Sequence, residues 1–203
     1  MHTELNPIQR ETNIRYEIGG YWIFRAGGKR KALPLLKRFI PNDVKVFSRI
    51  AKEADFLGVF KWTNNINDLD WSDGSDLRDG DAADEFDTYT VAGGEQYILE
   101  NFTNPIVTNY TQVWFLRFKN HFHRENCRDK FIENIKICSD QGMKCSYSED
   151  LFREIPSGIF KLGGDTIEET MNRPVGSDIE RNMRFIVDNL RIGPEHALFK
   201  LVK

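Results

Sequence analysis

The chain has 203 residues, of which 40% are hydrophobic and 12% aromatic, so it is long enough to bury one substantial core. Its 28 basic and 31 acidic side chains give a net charge of −3, which argues against a basic field over a whole nucleic-acid-binding face. The N-terminus is polar and no apolar run approaches the length of a membrane span, so the sequence predicts a soluble, cytoplasmic protein that does not contact a membrane.

Charge is distributed unevenly along the chain. Residues 1–50 carry ten basic and four acidic side chains, whereas residues 51–100 carry three and thirteen. The strongest local field is therefore negative, which favours a basic partner or a cation over nucleic acid. Three cysteines without a CxxC pair predict reduced, buried thiols.

The first predicted elements are two short strands within residues 14–25, which are rich in β-branched and aromatic side chains and surround Gly19 and Gly20. A basic cluster follows in a glycine-containing turn. It is either a solvated turn or a contact for phosphate or nucleic acid. It does not match a P-loop, which requires GxxxxGK followed by Ser or Thr. The cluster consists of Arg25, Lys29, Arg30 and Lys31.

Val44 begins a predicted helix, because Val44, Phe47 and Ile50 fall near one face at helical spacing. A predicted strand over residues 57–62 follows, and it leads into a segment dominated by Asp and Gly. We therefore expect residues 63–87 to be mostly loop.

The acidic run, residues 68–87, holds eight aspartates and Glu85 against a single arginine. Repulsion between like charges opposes its burial. Its spacing does not fit an EF-hand loop, so a solvated loop, a cation site and a docking surface for a basic protein partner all stay open. The candidate partner-binding residues are Trp71, Asp73, Asp76, Asp79, Asp81 and Asp84.

Further strands are predicted over residues 87–92, 97–99, 105–110 and 112–119, because β-branched and aromatic residues recur there. The last of these alternates most clearly, with at least one apolar face. One face would carry Val113, Phe115 and Arg117, and the other Trp114, Leu116 and Phe118.

His121 and His123 flank Phe122, so an extended strand would place both imidazoles on one side, as a divalent metal or a DNA-nicking enzyme requires. Such nicking enzymes also need a later tyrosine with a lysine close by, and Tyr147 has no such lysine after it. No third ligand is specified either, so the sequence predicts no cofactor and leaves the two histidines as metal candidates.

The C-terminal part is strongly patterned. A helix is predicted over residues 126–141 with Asn126 as its N-cap, followed by a strand over residues 144–149. Thr166 with Glu169, and Ser177 with Glu180, fit the capping-box spacing, and a final strand is predicted over residues 197–202. One apolar helix face is expected from Ile179, Met183, Ile186, Val187 and Leu190.

Together these patterns predict an α+β fold with a mostly antiparallel mixed sheet and three to four helices in a single domain. No linker composition separates its parts, so we expect one domain over residues 1–203, with residues 150–203 as a docked C-terminal extension.

Three stretches resemble a family of bacterial immunity proteins found with polymorphic toxins. The similar pieces are residues 67–70 (NDLD), residues 115–119 (FLRFK) and the helix and strand over residues 129–147. The resemblance covers about residues 50–149, and its motifs are structural. It implies a protein-binding module that neutralises a toxin, with the acidic run contacting a basic, cognate toxin.

Other classes of function stay open at this stage. Nucleic-acid or nucleotide binding through the basic cluster, or a metal-dependent enzyme using His121 and His123, is the alternative to an immunity protein. No GxSxG, HExxH or dinucleotide-binding glycine motif is present, so the sequence leaves enzymatic activity uncertain and favours a binding protein.

Overall fold

The computed structural model describes residues 16–25, 27–39, 44–50, 56–64, 85, 88–92 and 96–202. Within these residues, the first half of the chain forms β1 (Tyr16–Phe24), α1 (Gly28–Phe39), β2 (Lys45–Arg49), β3 (Phe56–Thr63), β4 (Thr90–Ala92) and β5 (Gln96–Asn101). The second half forms β6 (Tyr110–Arg117), α2 (His121–Asp140), β7 (Lys144–Asp150), β8 (Ser157–Gly164), α3 (Ile167–Met171), α4 (Ser177–Asn189) and β9 (Glu195–Leu201).

Eight of the strands close into an antiparallel ring. The order around the ring is β1-β3-β2-β9-β6-β8-β7-β5, and β5 pairs with β1 to complete it, while the short β4 pairs with the end of β1. Each half supplies four strands in the same order, β5-β1-β3-β2 and β9-β6-β8-β7. The second half therefore has the βαββαβ topology of a ferredoxin-like fold, and the predicted α+β class is confirmed.

Alternation along the strands gives the sheet two differently packed faces. Val113 and Phe115 of β6 point into the lumen of the ring, where they join a cluster with Tyr97, Leu99 and Phe199. The neighbouring side chains of β6 point outwards to α2 and α4, as the sequence pattern predicted. The outward set on this strand comprises Gln112, Trp114 and Leu116.

An ion pair lies inside the lumen. Lys161 of β8 donates to Glu17 of β1, and the indole Nε1 of Trp62 in β3 donates to the other oxygen of Glu17 at 3.0 Å. Glu17 and Lys161 are 1% and 5% exposed. The pair joins a strand from each half across the ring, so burial of each charge depends on the other half of the chain.

Two predictions in the first half are wrong. The pair Gly19–Gly20 does not form a hairpin, because β1 continues through it and pairs with β3 on one side and β5 on the other. The helix predicted from Val44 is a strand, because residues 45–48 pair with β3 and residues 47–49 with β9. Pairing with two neighbours overrides the local helical spacing there.

The second half follows its prediction more closely, with two corrections at helix starts. Helix α2 begins at His121 rather than after Asn126, because Asn120 is its N-cap and accepts from the His123 amide. Ser177 does not cap α4, whose N-cap position is Gly176. By contrast, Thr166 Oγ1 accepts from the Glu169 amide at 3.1 Å, which confirms that cap.

The predicted apolar face of α4 is confirmed in part, since Ile179, Ile186 and Leu190 belong to the core under it. Met183 and Val187, predicted for the same face, are exposed. Residues 157–201 supply two strands and two helices to this single domain, and the description of residues 150–203 as a docked extension stays a prediction. The three cysteines are free and buried, as expected. Of the helices described, none has the length and apolar character that a membrane crossing needs.

Candidate functional site

A cavity of about 260 Å³ lies in the second half, between the outer face of β6 and β8 and the helices α2 and α4. Its floor is Gln112, Trp114, Leu116, Phe160 and Leu162. Its roof consists of Phe131, Asn134 and Cys138 from α2, of Ile179, Glu180, Met183, Ile186 and Val187 from α4, and of Asn172, Arg173, Pro174, Leu190 and Pro194 from the adjoining segments.

A row of aromatic rings crosses the sheet beneath the cavity. The strand registers place His196, Trp114, Phe160 and Tyr147 side by side on β9, β6, β8 and β7. The ring centroids of Trp114 and Phe160 are 5.5 Å apart, and Phe131 of α2 lies 5.6 Å from Phe160. Of these rings, Trp114, Phe160 and Phe131 line the cavity and present apolar surface to whatever enters it.

The cavity also has two buried carboxamides. Gln112 is 5% exposed, and its side chain makes no hydrogen bond within the described part of the chain. Asn134 Oδ1 accepts from Asn182 Nδ2 at 3.0 Å, which ties α2 to α4. Because buried polar groups are normally hydrogen-bonded, the Gln112 carboxamide is the group in this wall that a ligand would satisfy.

The rim of the cavity is held by the end of α2. Gln141 pairs with the backbone of Val175 through two hydrogen bonds, of 2.9 Å from Nε2 and 3.1 Å to Oε1. This pairing fixes the segment that carries Arg173 and Pro174. Arg173 and Glu180 are exposed, so the rim presents one positive and one negative side chain to solvent.

Two thiols lie next to each other at one side of the cavity. Cys138 lines the cavity. Cys145 of β7 is paired with Leu162 of β8, and it hydrogen-bonds Cys138. The hydrogen bond from Cys145 lowers the pKa of Cys138. That same hydrogen bond, together with burial, raises the pKa of Cys145.

A network of ion pairs and hydrogen bonds joins the first half of α2 to the end of β7. Arg128 makes a bidentate contact with Glu149, of 2.9 and 2.7 Å, and the Tyr147 hydroxyl donates to Glu149 at 3.1 Å. Arg124 adds a 3.0 Å ion pair to that carboxylate. Burial and the nearby Glu149 raise the pKa values of Tyr147 and Cys127. We interpret this network as structural, because its buried carboxylate is fully surrounded by donors.

The structure places the predicted basic cluster at the start of α1. Arg25 is exposed at the end of β1, Lys29 Nζ donates to the Arg49 carbonyl at 3.1 Å, and Lys31 lies 5.6 Å above the Tyr89 ring. Arg30 is exposed on the first turn. The cluster is therefore partly occupied by contacts within the protein, and a phosphate contact there stays a prediction.

The two candidate histidines do not lie on one side of a strand. His121 and His123 are the first and third residues of α2, and residues two apart on a helix point to different faces. His123 Nδ1 lies 2.7 Å from Asn120 Oδ1. In the described part of the chain, no group of three or more His, Cys, Asp or Glu side chains could hold a metal ion.

The acidic run lies almost wholly outside the described residues. Trp71, Asp73, Asp76, Asp79, Asp81 and Asp84 are among the residues that the structure does not describe, so their role in partner binding stays a prediction. Glu85 is described, and it accepts a 3.2 Å hydrogen bond from Tyr89.

Comparison with known proteins gives a fold and no family. No family model matches the chain, and no curated protein matches it. Among solved structures, an anthrone oxidase-like protein superposes with a TM-score of 0.73 at 10% identity, over 95% of this chain and 93% of that one. A candidate monooxygenase from Fusobacterium nucleatum gives 0.63 at 10% identity, over 94% and 93%. A heme-binding protein from Thermus thermophilus gives 0.55 at 9% identity, over 94% and 92%.

These matches correct the interpretation as an immunity protein. Almost the whole chain superposes on an anthrone oxidase-like protein, a candidate monooxygenase and a heme-binding protein, rather than on immunity proteins. Two of the three stretches that suggested immunity proteins are ordinary parts of this fold: residues 115–119 belong to β6 and its end, and residues 129–147 to α2 and β7. Residues 67–70 lie outside the described residues. The toxin-neutralising function is therefore wrong, and the nucleic-acid alternative has no support from these matches.

Sequence reasoning missed the cavity because its walls come from several separate segments of the chain. One signal was available. Gln112, Asn134 and Asn182 are polar residues at positions where their strand or helix is otherwise apolar, and all three are buried. Polar residues at buried positions of an apolar face indicate either a structural network or a binding site. The pair of Asn134 and Asn182 illustrates the first case and Gln112 the second.

Proposed function

We propose that this protein binds a flat, largely apolar organic molecule in the cavity and oxidises it with dioxygen. The observation that carries the proposal is the carboxamide of Gln112, which makes no hydrogen bond to a described residue and lies in a wall made mostly of rings and aliphatic side chains. Ligand sites commonly combine apolar walls with a few polar groups that fix orientation. The likeness in fold to proteins described as an anthrone oxidase-like protein and a monooxygenase supports this class of substrate.

The cavity suits the oxidation of a ring-bound CH₂ group that is acidified by a neighbouring carbonyl, as in anthrone. In that reaction the CH₂ carbon loses two hydrogens and gains one oxygen atom from O₂, and the other oxygen leaves as water. The Gln112 side chain can donate to the substrate carbonyl and stabilise the negative charge that forms when a proton leaves the CH₂ group. Glu180 at the rim is the carboxylate placed to accept that proton.

The walls contribute by orientation and by exclusion of water. Trp114, Phe160 and Phe131 can stack against a fused ring system, and Ile179 with Ile186 closes the opposite side. Removing water from the substrate strengthens the hydrogen bond at its carbonyl. Three free, buried thiols fit a reducing compartment, so we place the protein in the cytoplasm.

A haem fits this cavity less well than a small, flat, apolar molecule does. At about 260 Å³ the space is small, and none of His121, His123 and His196 lines it, although Cys138 and Met183 do. The sulfur of Cys138 is already hydrogen-bonded to Cys145. We therefore derive no step through a haem, although a protein with this fold is described as heme-binding.

Anthrone provides the direct test. The purified protein should bind anthrone with one site per chain and should consume oxygen in its presence, one O₂ for each quinone formed. The variant Glu180→Gln should retain binding and lose most of the oxygen consumption. Binding without oxygen consumption would leave a binding protein and overturn the oxidase proposal; no saturable binding would overturn both parts.

A further inference from the structure

We infer that Cys138 is a nucleophilic site for flat, apolar α,β-unsaturated carbonyl compounds, quinones among them, that enter the cavity. The inference rests on the ligand cavity of the proposed function and not on its oxidation reaction. It concerns a covalent step, with Cys138 as the residue that bonds to the ligand.

The position of the thiol is the first argument. Cys138 is 2% exposed, yet it lines a cavity whose rim includes the exposed side chains of Arg173 and Glu180. Cys138 is therefore shielded from bulk water and lies in the wall of the cavity. A charged or strongly hydrated reagent would be excluded from these apolar walls, whereas a flat apolar electrophile would be concentrated there.

The neighbouring groups are the second argument. The Cys145 thiol hydrogen-bonds the sulfur of Cys138 and so favours its thiolate, the form that attacks an electrophile. Gln112, Leu162 and Cys145 share one register row across β6, β8 and β7. Adjacent strands are about 4.8 Å apart, so the backbone positions of Gln112 and Cys145 stand on the order of 10 Å apart, about the length of a two- or three-ring quinone.

The chemistry is an addition and needs no oxidant. The Cys138 sulfur forms a bond with the β-carbon of the unsaturated carbonyl compound, and the carbon–carbon π bond breaks. Its electron pair moves to the carbonyl oxygen as an enolate, and the proton that the thiol gave up is regained at the α-carbon from water. The product is a thioether in which every atom of both reactants is retained.

Cys127 supplies a matched control on the same helix. It is fully buried like Cys138, but it does not line the cavity, and burial together with Glu149 raises its pKa to about 11. Any difference in labelling between these two thiols therefore reports cavity access and thiolate stability, not burial alone.

The experiment uses the full chain, reduced and then freed of reductant, with a limiting amount of N-phenylmaleimide, followed by peptide mapping. Cys138 should be labelled at least about tenfold faster than Cys127. The cavity-filling variant Leu162→Phe should slow labelling of Cys138, and Cys138→Ala should remove the fast adduct. The mapping on the unaltered chain decides the case if Cys138→Ala fails to fold.

Equal labelling rates for the three cysteines would overturn the inference, because they would show that the thiols react only when the protein unfolds. Selective labelling of Cys138 that Leu162→Phe leaves unchanged would overturn it too, since the reagent would then arrive by another route. Fast labelling of Cys138 in a protein that does not bind anthrone would support the inference and leave the oxidase proposal rejected, so the two failures are distinguishable.

Discussion

The lumen of the ring and the cavity under α2 and α4 are bounded by opposite faces of the same strands, yet they treat polar side chains differently. In the lumen, Glu17 and Lys161 are paired with each other, and Trp62 supports the carboxylate. In the cavity, the buried carboxamide of Gln112 makes no hydrogen bond to the described residues. A satisfied polar group stabilises the fold, whereas an unsatisfied one is tolerated where a ligand provides the missing partner.

The largest expected effect tests the lumen side of this comparison. Lys161→Met should destabilise the protein by about 3–5 kcal/mol, because it leaves the buried Glu17 carboxylate without its cation. The double variant Glu17→Leu with Lys161→Met should recover most of that loss, since no buried charge is left. Urea unfolding followed by circular dichroism measures both. A single variant as stable as the parent would show that the pair is not structural.

A pair of substitutions on β8 compares the two faces directly. Ile159 points into the lumen and Leu162 into the cavity. Ile159→Phe should cost about 1–3 kcal/mol through overpacking, whereas Leu162→Phe should cost less because it has empty space to fill. Midpoints of thermal unfolding rank the two variants. Equal losses would mean that the cavity is not available to a side chain, and hence not to a ligand.

The carboxamide of Gln112 allows a test with opposite effects on stability and binding. Gln112→Leu should raise the free energy of unfolding by about 1 kcal/mol, because it removes a buried polar group without a partner. The same change should weaken anthrone binding by about 1 kcal/mol, through loss of the hydrogen bond to the carbonyl. Urea titrations with and without anthrone give both values. A drop in stability would instead reveal a structural role for Gln112.

The next prediction concerns pH and the buried thiol of Cys127 on α2. Burial and Glu149 raise the pKa of Cys127 from 9.0 to about 11, so between these values the folded protein holds a proton that the unfolded chain has released. Stability is therefore complete below pH 9 and falls as pH rises towards 11. Cys127→Ala should show a shallower decline over this interval in urea midpoints. An identical decline in both proteins would contradict the raised pKa.

How far the sequence predicts the fold depends on whether local pattern and tertiary pairing agree. Strand β6 and helix α4 were predicted because each has one continuous apolar face that the fold buries. Strand β2 was mistaken for a helix, since Val44, Phe47 and Ile50 have helical spacing, and only the pairing with β3 and β9 makes the segment extended. Closure of the ring also could not be predicted from the sequence, because it depends on β1 pairing with β3 at one edge and with β5 at the other, through Gly19 and Gly20.

The candidate site was harder to predict than the fold. Its residues are spread from Gln112 to Pro194, and most of them look like ordinary core residues in the sequence. The acidic run attracted attention because charge density can be read directly from the sequence, whereas a cavity between a sheet and its helices cannot. His121 and His123 misled for a related reason, since their one-sided arrangement required a strand and the chain forms the start of α2 there.

The most direct test of the account is equilibrium dialysis of anthrone against the parent protein, Leu162→Phe and Ile159→Phe. We expect saturable binding at one site per chain in the parent, strongly reduced binding in Leu162→Phe, and near-parental binding in folded Ile159→Phe, whose side chain faces the lumen. Absence of saturable binding in the parent, or equal binding by Leu162→Phe, would contradict the claim that the cavity between the sheet and α2 and α4 is the ligand site.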